Sequence, residues 1–251
     1  MIEETANASA SKQASKQASK QASKQASKPL DFGFYNMDCM EGMKCFPDNY
    51  FDLAIVDVPY GSKVGKGGYM HNTISGGVAK RKMYHLALWS QERPEKCYFD
   101  ELMRVSKNQI IWGGNYICDL VDTSQCWIVW DKCIPEGVMY ADCELAWTSF
   151  DRATKKFTFQ WSGMLQGDMK NKEYRIHPTQ KPVALYEWIL NKFAKPNDII
   201  LDTHVGSASS LIACRNTNHK YVGFEIDPEY YRLAKERLDS ETSQMNIYDF
   251  M

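Results

Sequence analysis

Long apolar runs are missing from this 251-residue chain. No stretch approaches the roughly 20 apolar residues that a helix needs to cross a membrane. No charged-then-apolar leader opens it, so secretion is not expected. Its eight cysteines include no Cys-x-x-Cys pair, which argues against a zinc ribbon or a dithiol redox site. Several, such as Cys118, Cys126 and Cys214, sit inside apolar patterns. The expectation is reduced, packed thiols in a cytoplasmic protein, with no metal site. Gly-x-Gly-x-x-Gly is also absent, which counts against a nicotinamide dehydrogenase. Neither sign of charge is in excess, with 30 Lys and Arg against 31 Asp and Glu.

What is present divides in two. Residues 10–28 repeat Ala-Ser-Lys-Gln without one large apolar side chain. Such a stretch has no face to bury, so residues 1–28 are expected to be a disordered tail. The tail holds five lysines against Glu3 and Glu4, a net of +3, so the remainder carries −4. Any basic surface on the body must then be local. Candidates are Lys63, Lys66, Lys80-Arg81-Lys82, Lys155-Lys156, and Lys170 and Lys172 with Arg175. The repeat also bears on the gene. The codons GCA-AGC-AAG-CAA spell Ala-Ser-Lys-Gln and are the tetranucleotide GCAA three times over. Slippage of one four-base unit would shift the frame and switch expression off. A twelve-base repeat, or other synonymous codons, would keep the frame.

The body reads as one domain over residues 29–251, with 44% hydrophobic residues in the whole chain to build a sizeable core. The run Phe51–Val56 is continuously apolar but for Asp52, as in a buried parallel strand, and leads into Asp57-Val58-Pro59-Tyr60. An acid, a proline and an aromatic at such a strand end sit where open α/β sheets bind ligands. A carboxylate can hold an exocyclic amine, and a tyrosine face can stack on a base. A second strand, Ile199 to Leu201, runs into Asp202-Thr203-His204-Val205-Gly206-Ser207-Ala208, a turn of small residues before a helix. A third, Tyr221 to Glu225, ends in an acid about 20 residues later, the spacing used to catch ribose hydroxyls. A fourth segment, His177-Pro178-Thr179-Gln180-Lys181-Pro182, leads into an amphipathic helix ending at Phe193.

Further strands are expected at Phe32 to Met37, Gln109 to Trp112, Cys126 to Trp130, Glu144 to Thr148 and Lys156 to Gln160. Helices are expected at Cys39 to Phe46, Pro94 to Val105, Ser207 to Arg215 and Pro228 to Leu238. The alternation implies an α/β fold with a mixed, mostly parallel sheet and helices on both faces. Gly61 to Gln91 is long, Gly-rich and basic, and reads as a mobile loop over the site. Residues 131–176, read as irregular with basic residues, and the 61–91 loop compete for target recognition. Gly113-Gly114-Asn115-Tyr116 is either a pocket wall or a tight turn. Trp127, Trp130, Trp147 and Trp161 alternate along strands and are expected to be structural.

Taken together, the four motifs resemble the DNA amino-methyltransferases, which modify adenine N6 or cytosine N4 with S-adenosylmethionine. Their order, catalytic motif first and cofactor loop last, is similar to the circularly permuted β group and covers roughly Phe32 to Leu238. The resemblance implies a Rossmann-like methyltransferase fold. It implies that Asp57, Val58, Pro59 and Tyr60 form the catalytic tetrapeptide, usually Asp-Pro-Pro-Tyr. It places Asp202, His204, Gly206 and Ser207 in the cofactor loop, usually Asp-Pro-Phe-x-Gly-Ser-Gly. Glu225 would pair with the ribose and Asp38 would meet the adenine. Thr179, Gln180 and Lys181 would hold the methionine carboxylate. Val58, Thr203, His204 and Ala208 depart from the usual residues.

The expected activity is N6-methylation of a flipped-out adenine in double-stranded DNA, since Asp heads the tetrapeptide where cytosine-N4 relatives more often carry Ser. Cytosine-N4 methylation, an RNA substrate and a non-catalytic nucleic-acid binder are the competing readings. A restriction-nuclease partner is neither indicated nor excluded.

Overall fold

Each strand of the central sheet announces its depth by its composition. The computed structural model describes residues 29–61, 92–137, 141–162 and 165–248, with side chains only to Glu241. The repeat tail and nearly all of the 61–91 loop, with Lys63, Lys66, Lys80, Arg81 and Lys82, lie outside the described residues.

The elements are β1 (Gly33–Asn36), α1 (Cys39–Met43), β2 (Leu53–Asp57), α2 (Lys96–Val105) and β3 (Gln109–Trp112). A 3₁₀ turn (Gly114–Tyr116) precedes β4 (Trp127–Asp131), β5 (Cys143–Thr148), β6 (Lys155–Thr158), β7 (Trp161–Ser162) and β8 (Leu165–Gln166). Then come α3 (Val183–Phe193), β9 (Ile199–Asp202), α4 (Ser209–Asn216), β10 (Lys220–Glu225) and α5 (Pro228–Tyr248). Eight strands form one sheet in the order β1-β10-β9-β2-β3-β5-β4-β6, and β7 and β8 form a hairpin. β5 runs antiparallel to both of its neighbours, and every other pair in the large sheet is parallel.

β2 is apolar throughout because both of its faces are covered. Leu53 and Ile55 pack with Ile110, Trp112, Leu185, Ile189 and Ile200 on the α3 side. Ala54 and Val56 pack with Phe99, Leu102, Ile111 and Leu201 on the α2 side. α2 buries Tyr98, Phe99, Leu102 and Val105, and α3 buries Leu185, Tyr186, Ile189, Leu190 and Phe193. Those spacings follow the 3.6-residue period of a one-sided helix.

The connections fix the site. From β2 the chain passes through α2 to β3 on one side. From β9 it passes through α4 to β10 on the other. β2 and β9 are neighbours, so the winding reverses between them, and the crevice beyond their carboxyl ends is where such sheets bind ligands. Asp57 closes β2 and Asp202 closes β9.

Three expectations are corrected. Residues 131–176, read as irregular, hold the β7–β8 hairpin besides β5 and β6, which correspond to the strands expected at Glu144 to Thr148 and Lys156 to Gln160. The last helix runs ten residues past Leu238, to Tyr248. Only Cys126 and Cys214 are buried, while Cys97, Cys118, Cys133 and Cys143 are exposed and Cys39 and Cys45 lie between. An apolar pattern around a thiol marks the strand or turn, not the side on which the thiol lands. Trp130, Trp147 and Trp161 are buried as expected. No described helix is long and apolar enough to span a membrane.

Candidate functional site at the carboxyl edge of the sheet

Four acids gather at one sheet edge. Asp38 follows β1, Glu225 ends β10, Asp202 ends β9 and Asp57 ends β2, on four adjacent strands. Burying a carboxylate costs several kcal/mol unless it is bonded; Asp38 is exposed, and the other three are bonded. Asp38 caps α1, its side chain accepting from Met40 N at 2.7 Å. Glu225 accepts from Gly206 N and Asp227 N, both at 2.9 Å. Asp202 accepts from His204 N at 2.9 Å and from the Ser210 hydroxyl.

Asp57 sits in a charged cluster. Its Oδ1 accepts from the Tyr60 hydroxyl at 2.8 Å, and its Oδ2 takes Lys181 Nζ at 2.5 Å. Lys181 also lies 3.2 Å from Glu144, whose other oxygen takes Lys132 Nζ at 3.2 Å. Burial pushes the Asp57 carboxyl up, aided by Glu144 and opposed by the Lys181 ammonium. Burial would discharge Lys181, but the two carboxylates outweigh it and hold the amine protonated. Asp202 is pushed up to about 7 by burial, against the pull of Ser210 and the His204 amide. Burial likewise raises Glu225.

Tyr60 stacks on Tyr116, with ring centroids 5.0 Å apart. Gly113 lies under the Tyr60 ring at φ +72°, and a Cβ there would come within 2.1 Å of it. The Gly113 segment is therefore a tight turn packed against the Tyr60 ring. Val58 is buried in the α2-side core, where a branched apolar side chain in place of proline fills space.

The unusual residues of the 202–208 turn hold one another. Thr203 Oγ1 bonds with the Tyr98 hydroxyl at 2.6 Å and with His204 Nδ1 at 2.9 Å. The His204 ring lies edge-on to Tyr98, 5.4 Å between centroids, and burial lowers its pKa to about 4. It is thus a neutral ring where phenylalanine is usual. Ser207 Oγ bonds with Ser209 Oγ at 3.1 Å. Gly206 has φ 56° and Ala208 φ 63°, a left-handed conformation that an alanine adopts only at a cost.

In the Thr179-Gln180-Lys181 turn, the Lys181 ammonium is paired with the carboxylates of Asp57 and Glu144. The Gln180 amide faces inward: its oxygen accepts from Ile176 N at 2.9 Å, and its nitrogen donates to Tyr174 O at 3.4 Å and to Glu173 at 3.5 Å. Thr179 Oγ1 bonds with His177 Nδ1 at 3.0 Å. A neighbouring pair fastens the turn to the cofactor loop. Arg237 bonds Glu173 at 2.6 Å and the Ser207 carbonyl at 2.7 Å, and Glu173 accepts from Val183 N at 2.9 Å.

Glu144 and Lys132 were missed by sequence reasoning. The available signal was a charged residue in, or just beyond, a strand that is otherwise largely apolar. Among the basic candidates, Lys156 is paired with Asp131 at 3.1 Å and the Arg175 guanidinium lies over Trp161, 4.5 Å from its centroid. A separate cleft of about 450 Å³ between α2, residues 119–125 and the end of β5 contains none of the site residues. No His, Cys, Asp and Glu cluster fit for a metal occurs among the described residues.

Residues 119–236 match a family model described as DNA methylase. The type II methyltransferase M.HpaI of Haemophilus parainfluenzae is 29% identical over 250 residues, covering 84% of this chain and 76% of that protein. The putative methylase YubD of Escherichia coli K12 is 26% identical over 219 residues, covering 82% and 89%. Among solved structures, the cytosine-N4-specific PvuII DNA methyltransferase superposes with a TM-score of 0.53 at 14% identity, covering 87% of this chain and 93% of that one. That likeness concerns the fold.

The left-handed Ala208 gives a stability prediction. Ala208→Gly removes the Cβ penalty at this φ, though it loosens the unfolded chain. A net gain of about 0.5–1 kcal/mol is expected, read as a higher urea midpoint at unchanged slope. A lower midpoint would mean that the Ala208 methyl, fully buried, contributes more by packing than its conformation costs.

Proposed function

We propose that this chain is a DNA amino-methyltransferase and that it methylates N6 of adenine in double-stranded DNA. The observation that carries the reading is the placement of Asp57 and Tyr60 at the reversal point of the sheet, beside Asp202 and Glu225. The cofactor is S-adenosylmethionine, and the acids of this edge fit it: hydroxyls and an ammonium are the groups that Glu225 and Asp202 can hold. When bound, it supplies a methyl group made electrophilic by its sulfonium.

The chain's own residues do the aligning. Asp57 and the Val58 carbonyl accept the two amine protons of the target base, which turns the nitrogen lone pair outward. Tyr60 stacks on the ring. With the lone pair so aimed, a bound cofactor would supply its methyl group to the nitrogen, the N–C bond forming as its C–S bond broke. The alkylated amine is briefly a strong acid, and Asp57 takes the proton it sheds. Catalysis is alignment and electrostatics, with no covalent intermediate on the enzyme. The base must leave the duplex stack for its amine to reach the pocket, and phosphate contacts hold the DNA meanwhile. Asp at the head of the tetrapeptide favours adenine; cytosine N4 is the second reading. The 131–176 region and the 61–91 loop are the proposed target-recognition elements. The GCAA reading of the tail adds frame-switched expression, which the gene's codons decide.

Mass spectrometry of nucleosides from unmethylated DNA incubated with the protein and cofactor tests the activity. N6-methyladenine is expected, and Asp57→Ala should abolish it. N4-methylcytosine would overturn the base while leaving the mechanism. Absence of any methylated nucleoside would overturn the reading.

Asp202 adds a pH dependence. Its folded pKa is raised from 3.8 to about 7, so the stability it lends the free protein is full below 3.8 and lost as pH rises through about 7. Cofactor binding runs the other way, because the α-ammonium prefers the carboxylate. Between pH 6 and 7 affinity should rise with pH by up to about tenfold, with a proton released on binding. Calorimetry in buffers of different ionisation enthalpy reads both, and pH-independent affinity would remove Asp202 from the ammonium.

A further inference from the structure

Both oxygens of Asp57 are occupied: Oδ1 by the Tyr60 hydroxyl and Oδ2 by Lys181 Nζ. An incoming amine must therefore compete with these partners, and the charged ammonium is the stronger competitor. Tyr60 is held by the Tyr116 ring on one side and by Gly113. Lys181 has somewhere to go. Its Nζ already lies 3.2 Å from Glu144 Oε2, and the other oxygen of Glu144 is held by Lys132 at 3.2 Å. Glu144 stands on β5 and Lys132 just after β4, so the second carboxylate is fixed by the sheet itself.

We propose that Glu144 is a positioning residue for the proposed amine methylation: it is the second seat of Lys181, and it draws the ammonium off Asp57 as the target amine enters. The inference rests on that reading of the site. Two lysines and two carboxylates make the cluster neutral, so Lys181 shifts between seats without leaving an unpaired buried charge. In the resting arrangement Lys181 closes Asp57 to water and stray donors. With the amine present, Asp57 trades one donor for another while Glu144 and Lys132 keep the ammonium within reach. The groups facing Asp57 are Tyr60 from the turn after β2, Lys181 from the turn before α3, Tyr186 from α3, Glu144 from β5 and Asp202 from β9. Of these, Glu144 and Asp202 are the other acids, and Glu144 is the one that touches Lys181.

Steady-state methylation of unmethylated DNA by the full chain, wild type against Glu144→Gln, tests the idea. With its second seat neutralised, Lys181 stays on Asp57. The expected result is a kcat about tenfold lower or more, with the KM for S-adenosylmethionine within about twofold. The acid limb of the rate profile should move to lower pH, because the negative charge that raised Asp57 is gone. Glu144→Asp keeps the charge on a shorter stem. It should leave the acid limb at the wild-type pH, with kcat between the other two. An unchanged kcat in Glu144→Gln overturns the proposal. So does a loss shared with cofactor KM and melting temperature, or an acid limb that Glu144→Asp moves as far as Glu144→Gln does. A wild type that yields no methylated base would instead sink the methylation reading itself.

Discussion

Crowding of negative charge at one edge of the sheet is the constraint around which this molecule is built. Asp38, Glu225, Asp202 and Asp57 follow or close four adjacent parallel strands. Asp38 is exposed, but Glu225, Asp202 and Asp57 would each cost several kcal/mol to bury unpaired, a large fraction of a domain's net stability. The chain bonds each of the four differently. A helix start serves Asp38, and amides of the following turns serve Glu225. A hydroxyl and an amide serve Asp202. Only Asp57 takes a full counter-charge, from Lys181, a residue 124 positions away. That ion pair ties the end of β2 to the segment before α3.

The difference in partners divides the site into two chemistries. Asp202 and Glu225, raised by burial, are bonded only to neutral donors, which suits a ligand bearing hydroxyls and an ammonium. Asp57, raised by burial as well, already holds a counter-charge in Lys181. The departures in the cofactor loop fit the first half. Thr203, His204 and Tyr98 form a small bonded aromatic group, and neutral His204 takes the place of a phenyl ring without adding charge. Ala208 alone keeps a strained backbone where glycine is usual.

Much of this was legible in the residues. Phe51 to Val56 reads as a buried strand because it is one, with Leu53 and Ile55 on one face and Ala54 and Val56 on the other. Asp57, Asp202 and Glu225 read as strand-end acids, and the sheet order makes them neighbours. What was not legible depended on direction. Lys181 could be placed in a turn near the site, but not aimed at Asp57, because a four-carbon stem reaches many partners. Glu144 looked like one more residue of a half-exposed strand until β5 was set antiparallel beside β3. The thiols of Cys118 and Cys143 fell on exposed sides of apolar segments, since a pattern gives period but not the identity of the covering layer. Within 131–176, β5 and β6 were legible but the β7–β8 hairpin was not, because two-residue strands carry little periodic signal.

The division of labour along the sheet edge is tested most directly by calorimetric titration of S-adenosylmethionine into wild type, Asp57→Ala and Glu225→Ala. Wild type and Asp57→Ala should bind with similar affinity, while Glu225→Ala should lose about tenfold or more, the loss of a charge-assisted pair of hydrogen bonds. Loss of binding in Asp57→Ala with retention in Glu225→Ala would contradict the account, because the cofactor would then sit on the strand assigned here to the base.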